Sequence, residues 1–302
     1  MEANFSYFAK DTGFETQLYL IDRIWGSDFS AYNWSTVIPK VLMRMRANSI
    51  ESLEEYMNHL STHSDEFALL SNAILVHITA FFRDAREWDA LSEEVLPRIT
   101  SGNRPNEPIR VWSAGCSSGE EVYTLAIVLA EALGMDAFRK NVRIFATDVD
   151  RQALAQGRRA TYSEKAVAAI PEELRSKYFN KVINGYVVRS ELRDRVVFAR
   201  HDLLQDPPFS NIDLISCRNT LMFFKSKAQD HIFAEFHFAL KNTGFLFLGT
   251  SETILKHIDL FRPVNSKHRI YHKLPAGTSK VHWTDSIQNG KYEDAKDHPA
   301  QY

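Results

Sequence analysis

The first hundred residues of the chain carry the apolar spacing of helices. Apolar side chains recur at i, i+3, i+4 and i+7, which places them on one face of a helix. They are Leu53, Tyr56, Met57 and Leu60, continued by Phe67, Leu70 and Ile74. This spacing predicts a small helical domain over residues 1–100.

A different pattern begins after the segment TSGNRPNEP at 100–108, whose Gly, Pro, Asn and Ser residues are typical of a linker. Short apolar runs then alternate with helical patterns: IRVWSAG, a helix from Glu120 to Leu133, VRIFATD, and a helix that starts near Arg151. Later runs, IDLISC at 212–217 and GFLFLGT at 244–250, bracket a further amphipathic helix. The alternation predicts βαβ units and a largely parallel sheet.

This second domain, predicted over 101–275, contains one excursion from the alternation. The runs GYVVRS and RVVFAR are rich in β-branched residues, and a short charged stretch separates them. The first predicts a small antiparallel unit and the second a return to the main sheet, so we expect a β-subdomain inserted at about 176–200. Residues 276–302 show no apolar period and are predicted to form a polar, peripheral tail.

The composition is that of an ordinary globular protein of two domains, with 302 residues, 44% hydrophobic and 25% charged. The 36 Lys and Arg residues against 38 Asp and Glu leave a net charge of -2, which gives no overall attraction to nucleic acid or an anionic membrane. No apolar run approaches the ~18 residues of a membrane span, and the N-terminus does not resemble a signal peptide. We therefore expect a cytoplasmic protein with no nucleic-acid partner and no membrane insertion.

Metal and disulfide chemistry have little support in the sequence. The two cysteines, Cys116 and Cys217, are far apart and cannot form a disulfide framework or a four-ligand zinc site. The 11 histidines include no HExxH motif. We expect no metal site.

The loop SAGCSSG follows the first predicted strand, where open α/β sheets bind their ligands. Small residues such as Gly115 let a ligand approach the backbone closely. Glu120 and Glu121 then open the helix and would repel a pyrophosphate, and the loop lacks both the GxGxxG spacing and the GK[ST] ending. A ligand with a positive end is therefore favoured over a dinucleotide or ATP. Alternatively, Gly115 and Gly119 only shape a tight turn, and the two acids stabilise the helix dipole.

Asp148 ends the second run, VRIFATD, where a carboxylate can accept hydrogen bonds from the two hydroxyls of a ribose. The same residue could instead cap a helix that begins at Val149 or Asp150. Together with the glycine loop, the acid favours an adenosine-bearing cofactor without a pyrophosphate. S-adenosylmethionine meets this requirement because it carries a sulfonium and an ammonium on one adenosine.

Five motifs occur in the order of a known family. They are HITAFFRD at 77–84, VWSAGCSSGEEVYTLA at 111–126, FATDVD at 145–150, LISCRNTLMFF at 214–224 and LGTSET at 248–253. In these motifs the chain resembles the chemotaxis receptor glutamate O-methyltransferase (CheR) family, up to about residue 273. The resemblance implies the α/β fold of a Rossmann-like S-adenosylmethionine-dependent methyltransferase domain, with an N-terminal all-helical domain and a small inserted antiparallel β-subdomain.

The resemblance also implies an activity and a partner. The family transfers a methyl group from S-adenosylmethionine to glutamate side chains of a methyl-accepting receptor, on its cytoplasmic helical bundle, and forms glutamyl methyl esters. The residues implied in cofactor binding are His77, Thr79, Arg83, Gly115, Glu120, Asp148, Asp202, Leu203, Arg218 and Asn219. Among these, Glu120 would bind the methionine ammonium, Asp148 the ribose, and the pair Asp202 and Leu203 the region of the adenine.

Three positions depart from the family pattern. His77 and Asp202 each stand where the family usually has Asn, and Phe223 stands where a Tyr is usual, four residues after Asn219. The last change removes a hydroxyl from the active site, so either Arg83 and backbone groups suffice or the substrate differs. Two further functions stay open: methylation of a small-molecule carboxylate or hydroxyl, and a catalytically weak S-adenosylmethionine-binding regulatory module.

Methyl transfer to a glutamate needs no general base, because the carboxylate is already anionic at neutral pH. Arg83 is the predicted catalytic residue, since a guanidinium binds and aims a carboxylate through a planar fork. The alternative for Arg83 is an ion pair with Asp84 or Glu87. Lys40 and Arg44 are four residues apart in VIPKVLMRMR and predict either a basic face for an acidic receptor bundle or a solvated helix face.

Overall fold

The computed structural model describes residues 31–74, 78–102 and 107–275. His77 and the predicted tail at 276–302 lie outside the described residues. Within 31–74 the chain forms three helices: α1 (Trp34–Ala47), α2 (Leu53–Thr62) and α3 (Ser64–Ile74).

The apolar faces of α2 and α3 pack as the sequence spacing predicts. The Asn33 side chain caps α1 by accepting a hydrogen bond from the Ser35 N–H, and Ser52 caps α2 by accepting from the Glu55 N–H. The apolar faces meet in a core of their own, with Val41, Tyr56 and Leu70 fully buried. The predicted helical faces in this region are confirmed.

The next two helices, α4 (Ala85–Glu94) and α5 (Leu96–Gly102), pack with the sheet domain. Their buried residues, which include Trp88 and Leu91, belong to the same core as the first strand and the helix after it. The sequence prediction placed the domain boundary near residue 100, whereas the packing divides the two cores between Ile74 and Phe81. Helical periodicity cannot show this, because it marks an apolar face without showing what covers it.

The strands follow in chain order. They are β1 (Ile109–Ala114), β2 (Val142–Asp148), β3 (Thr161–Tyr162), β4 (Phe179–Val182), β5 (Gly185–Val188), β6 (Val196–Arg200), β7 (Ile212–Cys217), β8 (Leu240–Leu248), β9 (Phe261–Asn265) and β10 (Ile270–Lys273). Among the described residues, seven strands form one sheet in the order β6-β2-β1-β7-β8-β10-β9. The first five are mutually parallel, and β10 runs antiparallel to both of its neighbours. The prediction of a largely parallel sheet is confirmed.

Helices cover both faces of this sheet. The remaining helices are α6 (Glu120–Leu133), α7 (Met135–Asn141), α8 (Arg151–Arg159), α9 (Glu164–Val167), α10 (Glu172–Tyr178), α11 (Ser190–Arg193) and α12 (Ser226–Ala239). In β1, Val111 packs in the core that contains α6, while Trp112 packs in the core that contains α12. Burial on both faces explains why β1 and β7 read as continuous apolar runs.

A second, antiparallel sheet has the order β3-β5-β4. GYVVRS enters this sheet and RVVFAR returns to the main one, as predicted. The limits differ from the expected 176–200, because the small sheet begins at Thr161 and β6 pairs with β2. A two-residue strand is too short to show alternation, so the sequence pattern did not reveal β3. Gly185 is required where β5 begins: its φ is +141°, and a Cβ there would lie 2.1 Å from the Tyr162 carbonyl oxygen.

None of the helices in the described ranges has the length and hydropathy that a membrane span requires. Residues 31–74, 78–102 and 107–275 also contain no cluster of three or more His, Cys, Asp or Glu side chains that could hold a metal ion.

Candidate functional site

A cleft of about 960 Å³, open solvent included, lies at the carboxyl ends of the parallel strands. It sits where the chain order reverses between β1 and β7, the usual ligand position in a sheet of this kind. Eight of the predicted site residues line it: Thr79, Arg83, Gly115, Asp148, Asp202, Leu203, Arg218 and Asn219. The tertiary structure thus brings together residues that are up to 140 positions apart in the sequence.

The glycine loop forms one wall of the cleft. The N–H groups of Gly115 and Cys116 both donate to the Thr147 carbonyl oxygen, at 2.8 and 2.9 Å. The φ of Gly115 is +75°, and a Cβ at this position would lie 2.4 Å from Thr220 Oγ1. The glycine therefore shapes a tight turn, and the turn also lets the loops after β1 and β7 meet in the cleft.

The Asp148 carboxylate is oriented by two backbone groups. Its Oδ2 accepts from the Ser117 N–H at 2.8 Å, and its Oδ1 accepts from the Asp150 N–H at 3.0 Å. The cap of α8 is Asp150, whose Oδ1 accepts from the N–H groups of Gln152 and Ala153. The capping role considered for Asp148 therefore belongs to Asp150, while Asp148 lines the cleft.

The two acids at the start of α6 have different surroundings. Glu120 Oε2 accepts from Ser118 Oγ at 2.7 Å. Glu121, which the sequence prediction did not assign to the site, lines the cleft, and its Oε1 accepts from the hydroxyls of Ser113 at 3.1 Å and Ser216 at 2.8 Å. Burial raises the pKa of Glu121. The buried serines near the carboxyl ends of β1 and β7 were the available signal for a polar partner at these positions.

Arg218 joins the turn before α4 to the sheet. Its side chain is 1% exposed, and Nη2 donates to the Arg83 carbonyl oxygen at 3.1 Å and to Asp84 Oδ2 at 3.0 Å. Nη1 lies 3.7 Å from Glu121 Oε2. Two carboxylates compensate the buried guanidinium, so Arg218 holds the wall of the cleft as well as lining it.

Aromatic rings complete the surroundings of Arg218. The guanidinium carbon lies 5.0 Å from the ring centre of Trp88 and 4.8 Å from that of Phe247. Such cation–π contacts strengthen when water is excluded. Trp88 in turn donates its Nε1–H to the Arg83 carbonyl oxygen at 2.8 Å, so the same ring fixes the backbone of the predicted catalytic residue.

The segment Phe82–Asp84 has a strained backbone that turns Arg83 toward the cleft. The φ angles of Phe82 and Asp84 are +50° and +59°, which cost non-glycine residues of order 1–3 kcal/mol each. The Phe82 N–H donates to Thr124 Oγ1 at 3.1 Å and helps to hold the turn.

The Arg83 guanidinium faces the cleft and donates to the Ile78 carbonyl oxygen from Nη1 at 2.7 Å. Asp84 pairs with Arg218 instead, and Glu87 Oε1 lies 3.6 Å from His268 Nδ1. Within the described ranges, Arg83 forms no ion pair with either acid that the sequence offered as an alternative partner.

The loop after β7 is held by a carboxylate that the sequence prediction did not single out. Glu252 is 5% exposed, and its two oxygens accept four backbone N–H groups at 2.7 to 2.9 Å. The donors are Asn219, Thr220, Leu221 and Gly249. Glu252 thereby fixes Asn219 at a φ of +58° on the rim of the cleft. It lies in the LGTSET motif, which carried the family resemblance without indicating this role.

The remaining cleft residues come from three parts of the chain. Asp202 is buried, and its Oδ1 accepts from the Leu204 N–H at 3.0 Å. Phe223 is half-buried, and its carbonyl oxygen accepts from the Asn33 N–H at 2.7 Å. Tyr32, from the segment before α1, also lines the cleft, and the sequence prediction did not include it.

The lining fits an adenosine with a positively charged tail better than a dinucleotide. The carboxylates of Asp148 and Asp202 face the cleft, and the helix that begins beside it opens with Glu120. The cation Arg218 also lines the cleft, but it is already paired with Asp84 and Glu121. The negative charges of the carboxylates attract a cation and repel a pyrophosphate.

The predicted basic face on α1 is wrong for one of its two residues. Arg44 Nη2 lies 2.5 Å from Glu66 Oε2, and Tyr56 donates its hydroxyl to Glu66 Oε1 at 2.8 Å. Burial opposes ionisation of Glu66, yet the hydrogen bonds from Arg44 and Tyr56 bring its pKa down to about 2. Arg44 is therefore paired with Glu66 at the edge of the helical domain's core.

This network predicts an acid-sensitive helical domain. The folded-state pKa of Glu66 lies below its ordinary value of 4.5, so its contribution is fully present above that value and is lost as the pH falls toward about 2. We expect the free energy of unfolding to fall by up to about 3 kcal/mol across this range through Glu66. Denaturant unfolding followed by circular dichroism should show a smaller fall for Glu66→Gln, and equal pH dependence would contradict the prediction.

Comparison with known proteins places the chain in a family. Residues 77–270 match the family model of the CheR methyltransferase SAM binding domain, and residues 12–75 match that of the CheR methyltransferase all-alpha domain. The two matches meet where the structure separates the two cores. S-adenosylmethionine (SAM) is therefore confirmed as the cofactor, and the predicted fold class is confirmed.

Individual relatives support the same family. A chemotaxis protein methyltransferase of Borreliella burgdorferi is 34% identical over 76% of this chain and 86% of its own length. One from Listeria innocua is 31% identical over 86% of this chain and 93% of its own. An uncharacterized 104.1 kDa protein of Rhodobacter capsulatus is 34% identical over 84% of this chain, which spans only 27% of that protein. From its helical N-terminal core to the last strand of its sheet, this chain belongs to the CheR methyltransferase family.

Proposed function

We propose that this protein methylates glutamate side chains of a chemoreceptor, with S-adenosylmethionine as the donor, and forms glutamyl methyl esters. The observation that carries the proposal is the Arg83 guanidinium, which is held in the cleft wall with donors available to a carboxylate. Relatives that are named chemotaxis protein methyltransferases support a receptor as the methyl acceptor. That the protein works in the cytoplasm stays a prediction.

Methyl transfer to a carboxylate requires that the acceptor be positioned, and it requires no proton transfer. The bound cofactor supplies a methyl group on a sulfonium, and the acceptor carboxylate is anionic at neutral pH. Arg83 would aim this carboxylate within about 3 to 3.5 Å of the methyl carbon. Its hold on the carboxylate has to be moderate, because the negative charge disappears when the ester forms. Phe223 would exclude water from the approaching carboxylate.

The proposed cofactor contacts rest on the family resemblance and, for Asp148, Asp202 and Leu203, also on their place in the cleft lining, which does not include Glu120. We assign Asp148 to the ribose hydroxyls, Glu120 to the methionine ammonium, and Asp202 with Leu203 to the adenine. The backbone of Gly115 would let the cofactor approach closely. The remaining residues in the proposed cofactor site are His77, Thr79, Arg83, Arg218 and Asn219.

A matched pair of variants tests the ribose contact. Asp148→Ala is expected to weaken binding of S-adenosylhomocysteine by about 10- to 100-fold, since hydrogen bonds to a charged group contribute about 1.5–3 kcal/mol. Asp150→Ala removes the cap of α8 and is expected to lower the stability by about 1 kcal/mol without a change in affinity. Isothermal titration calorimetry measures both affinities. Equal affinities for Asp148→Ala and the unmodified protein would remove Asp148 from the site.

A single substitution tests whether the reaction needs the hydroxyl that a tyrosine at position 223 would supply. If Arg83 and backbone groups suffice, Phe223→Tyr should change kcat by less than about tenfold, which corresponds to ~1.4 kcal/mol in the activation free energy. A larger rise in kcat on receptor fragments would show that the reaction lacks this hydroxyl. The rate of methyl transfer at saturating donor is the measurement.

The phenylalanine at position 223 is also the reason to consider a second function, methylation of a small carboxylate or hydroxyl compound. Labelled S-adenosylmethionine should be incubated with receptor cytoplasmic fragments and, in parallel, with small carboxylic acids. Base-labile label on receptor glutamates supports the proposal, and its loss when those glutamates are changed to alanine is the control. Transfer only to small acids supports the second function, and binding without any transfer would indicate a regulatory module.

A further inference from the structure

Tyr162 connects the small antiparallel sheet to the glycine loop. It lies in β3, where it pairs with Tyr186 of β5, and its side chain is buried outside the cleft lining. Its hydroxyl donates to the Ser118 carbonyl oxygen at 2.8 Å. A Cβ at Gly119 would lie 3.1 Å from the same hydroxyl, so the glycine, at a φ of +94°, lets the loop approach the tyrosine closely. The small sheet therefore supports the glycine loop directly.

The part of the loop that Tyr162 supports leads into Glu120. The Gly119 N–H donates to the Cys116 carbonyl oxygen at 3.1 Å and closes a turn, and Ser118 Oγ donates to Glu120 Oε2 at 2.7 Å. Burial raises the pKa of Tyr162, and the charge of Glu120 raises it further. The hydroxyl is therefore a neutral hydrogen-bond donor that lies near this carboxylate. Both the backbone and the side chain of Ser118 link the tyrosine to the first residue of α6.

We propose that Tyr162 is a positioning residue: by holding the Ser118 carbonyl group, it keeps Glu120 where the carboxylate binds the methionine ammonium of S-adenosylmethionine. The inference rests on the proposed assignment of Glu120 to this ammonium. The ribose end has a support of its own, because Asp148 accepts from the Asp150 N–H as well as from the glycine loop. Loss of the Tyr162 hydroxyl should therefore affect the amino-acid end of the cofactor and leave the nucleoside end in place.

Two ligands separate the two ends of the cofactor. S-adenosylhomocysteine carries both the nucleoside and the amino acid, whereas 5′-methylthioadenosine lacks the amino acid. Tyr162→Phe in the full chain removes only the hydroxyl and should weaken S-adenosylhomocysteine about fivefold, the effect of one hydrogen bond. Its affinity for 5′-methylthioadenosine should stay within about twofold of that of the unmodified protein. Titration calorimetry gives the affinities, and circular dichroism shows that the variant is folded. A folded Tyr162→Phe variant that binds both ligands normally, or weakens both equally, would overturn the inference.

Tyr123→Phe is the matched control for Tyr162→Phe. Tyr123 is buried in the same core and also donates its hydroxyl to a carbonyl oxygen, that of Gly157, at 2.9 Å. Its ring centre lies 6.1 Å from that of Tyr162. Both variants lose one buried hydrogen bond and should lose similar stability in denaturant unfolding, but only Tyr162→Phe should change the ratio of the two ligand affinities. An equal change of this ratio in both variants would contradict the role of the Tyr162 hydroxyl.

Glu120→Gln gives the proposed ammonium contact a readout of its own, since it should weaken S-adenosylhomocysteine alone. If Glu120→Gln binds S-adenosylhomocysteine normally, the assignment of Glu120 has failed and the inference fails with it. If Glu120→Gln weakens this ligand and Tyr162→Phe does not, the role of Tyr162 alone has failed. Methyl transfer from the labelled donor to receptor fragments tests the proposed function separately.

A measurement that keeps the hydroxyl covers the case in which Tyr162→Phe does not fold. Tyr162 is replaced by a ring-fluorinated tyrosine, whose fluorine NMR resonance reports on the surroundings of the phenol. Saturating S-adenosylhomocysteine should shift this resonance more than saturating 5′-methylthioadenosine does, because only the former carries the ammonium that we assign to Glu120. Equal shifts with the two ligands, or no shift with either, would contradict the link between Tyr162 and the amino-acid end.

Discussion

Replacing Arg83 by alanine is expected to lower kcat for receptor methylation by about 100-fold, which corresponds to ~2.7 kcal/mol. The variant should lose far less affinity for S-adenosylhomocysteine than it loses in kcat, because Arg83 acts mainly on the position of the acceptor carboxylate and only in part on the cofactor. Arg83→Lys keeps the positive charge but loses the planar fork of the guanidinium. Its kcat should lie between those of Arg83→Ala and the unmodified protein. Single-turnover transfer of labelled methyl groups measures the rate.

Arg86→Ala is the matched control for Arg83→Ala. Arg86 is an exposed cation in the first turn of α4, three residues further along the chain. Its removal changes the net charge by the same amount, and we expect kcat to stay within about twofold. Equal rates for Arg83→Ala and the unmodified protein would remove Arg83 from the mechanism. Equal losses in the two variants would indicate a general charge effect on receptor binding.

Replacing Glu252 by glutamine is expected to lower the free energy of unfolding by about 4 kcal/mol. A glutamine has one acceptor oxygen where the carboxylate has two, and its NH₂ group would face backbone N–H donors. Two buried N–H groups would be left without an acceptor, at a cost of about 1–3 kcal/mol each. Because these bonds set Asn219 at positive φ, the affinity for S-adenosylhomocysteine should fall as well.

Thr253→Ala tests whether the effect belongs to the carboxylate. Thr253 is the exposed neighbour of Glu252, and we expect its replacement to change the stability by less than about 0.5 kcal/mol. Denaturant unfolding of the full chain and titration calorimetry give the two readouts. A Glu252→Gln variant as stable as Thr253→Ala would show that the four hydrogen bonds contribute little.

Much of the fold could be predicted from local patterns. The helix Glu120–Leu133 begins and ends where the sequence placed it, and β1, β2 and β7 coincide with the apolar runs. Such elements have their signal in neighbouring residues, through periodicity and burial on both faces. β8 begins at Leu240, four residues before the predicted run, because its first part is polar and partly exposed.

The candidate site was partly predictable for a different reason. Strand ends at one edge of a parallel sheet must converge, so the sequence alone predicts that Gly115, Asp148 and the residues after β7 lie close together. The partners of Arg218 could not be predicted, since Asp84 and Glu121 lie 134 and 97 positions away and their pairing depends on how α4 packs. The pairing of Arg44 with Glu66, 22 positions away, could not be predicted for the same reason.

The sequence by itself determined the βαβ order, the glycine loop, the acid after the second strand and the cofactor class that these residues favour. Only the tertiary structure decided that Asp150 caps α8, that Glu252 holds the loop after β7, and that Tyr32 belongs to the cleft. The physical reason is the range of the interactions. Periodicity and turn chemistry act between neighbours, whereas a buried charge or hydroxyl takes whichever partner the packed chain brings within hydrogen-bonding distance.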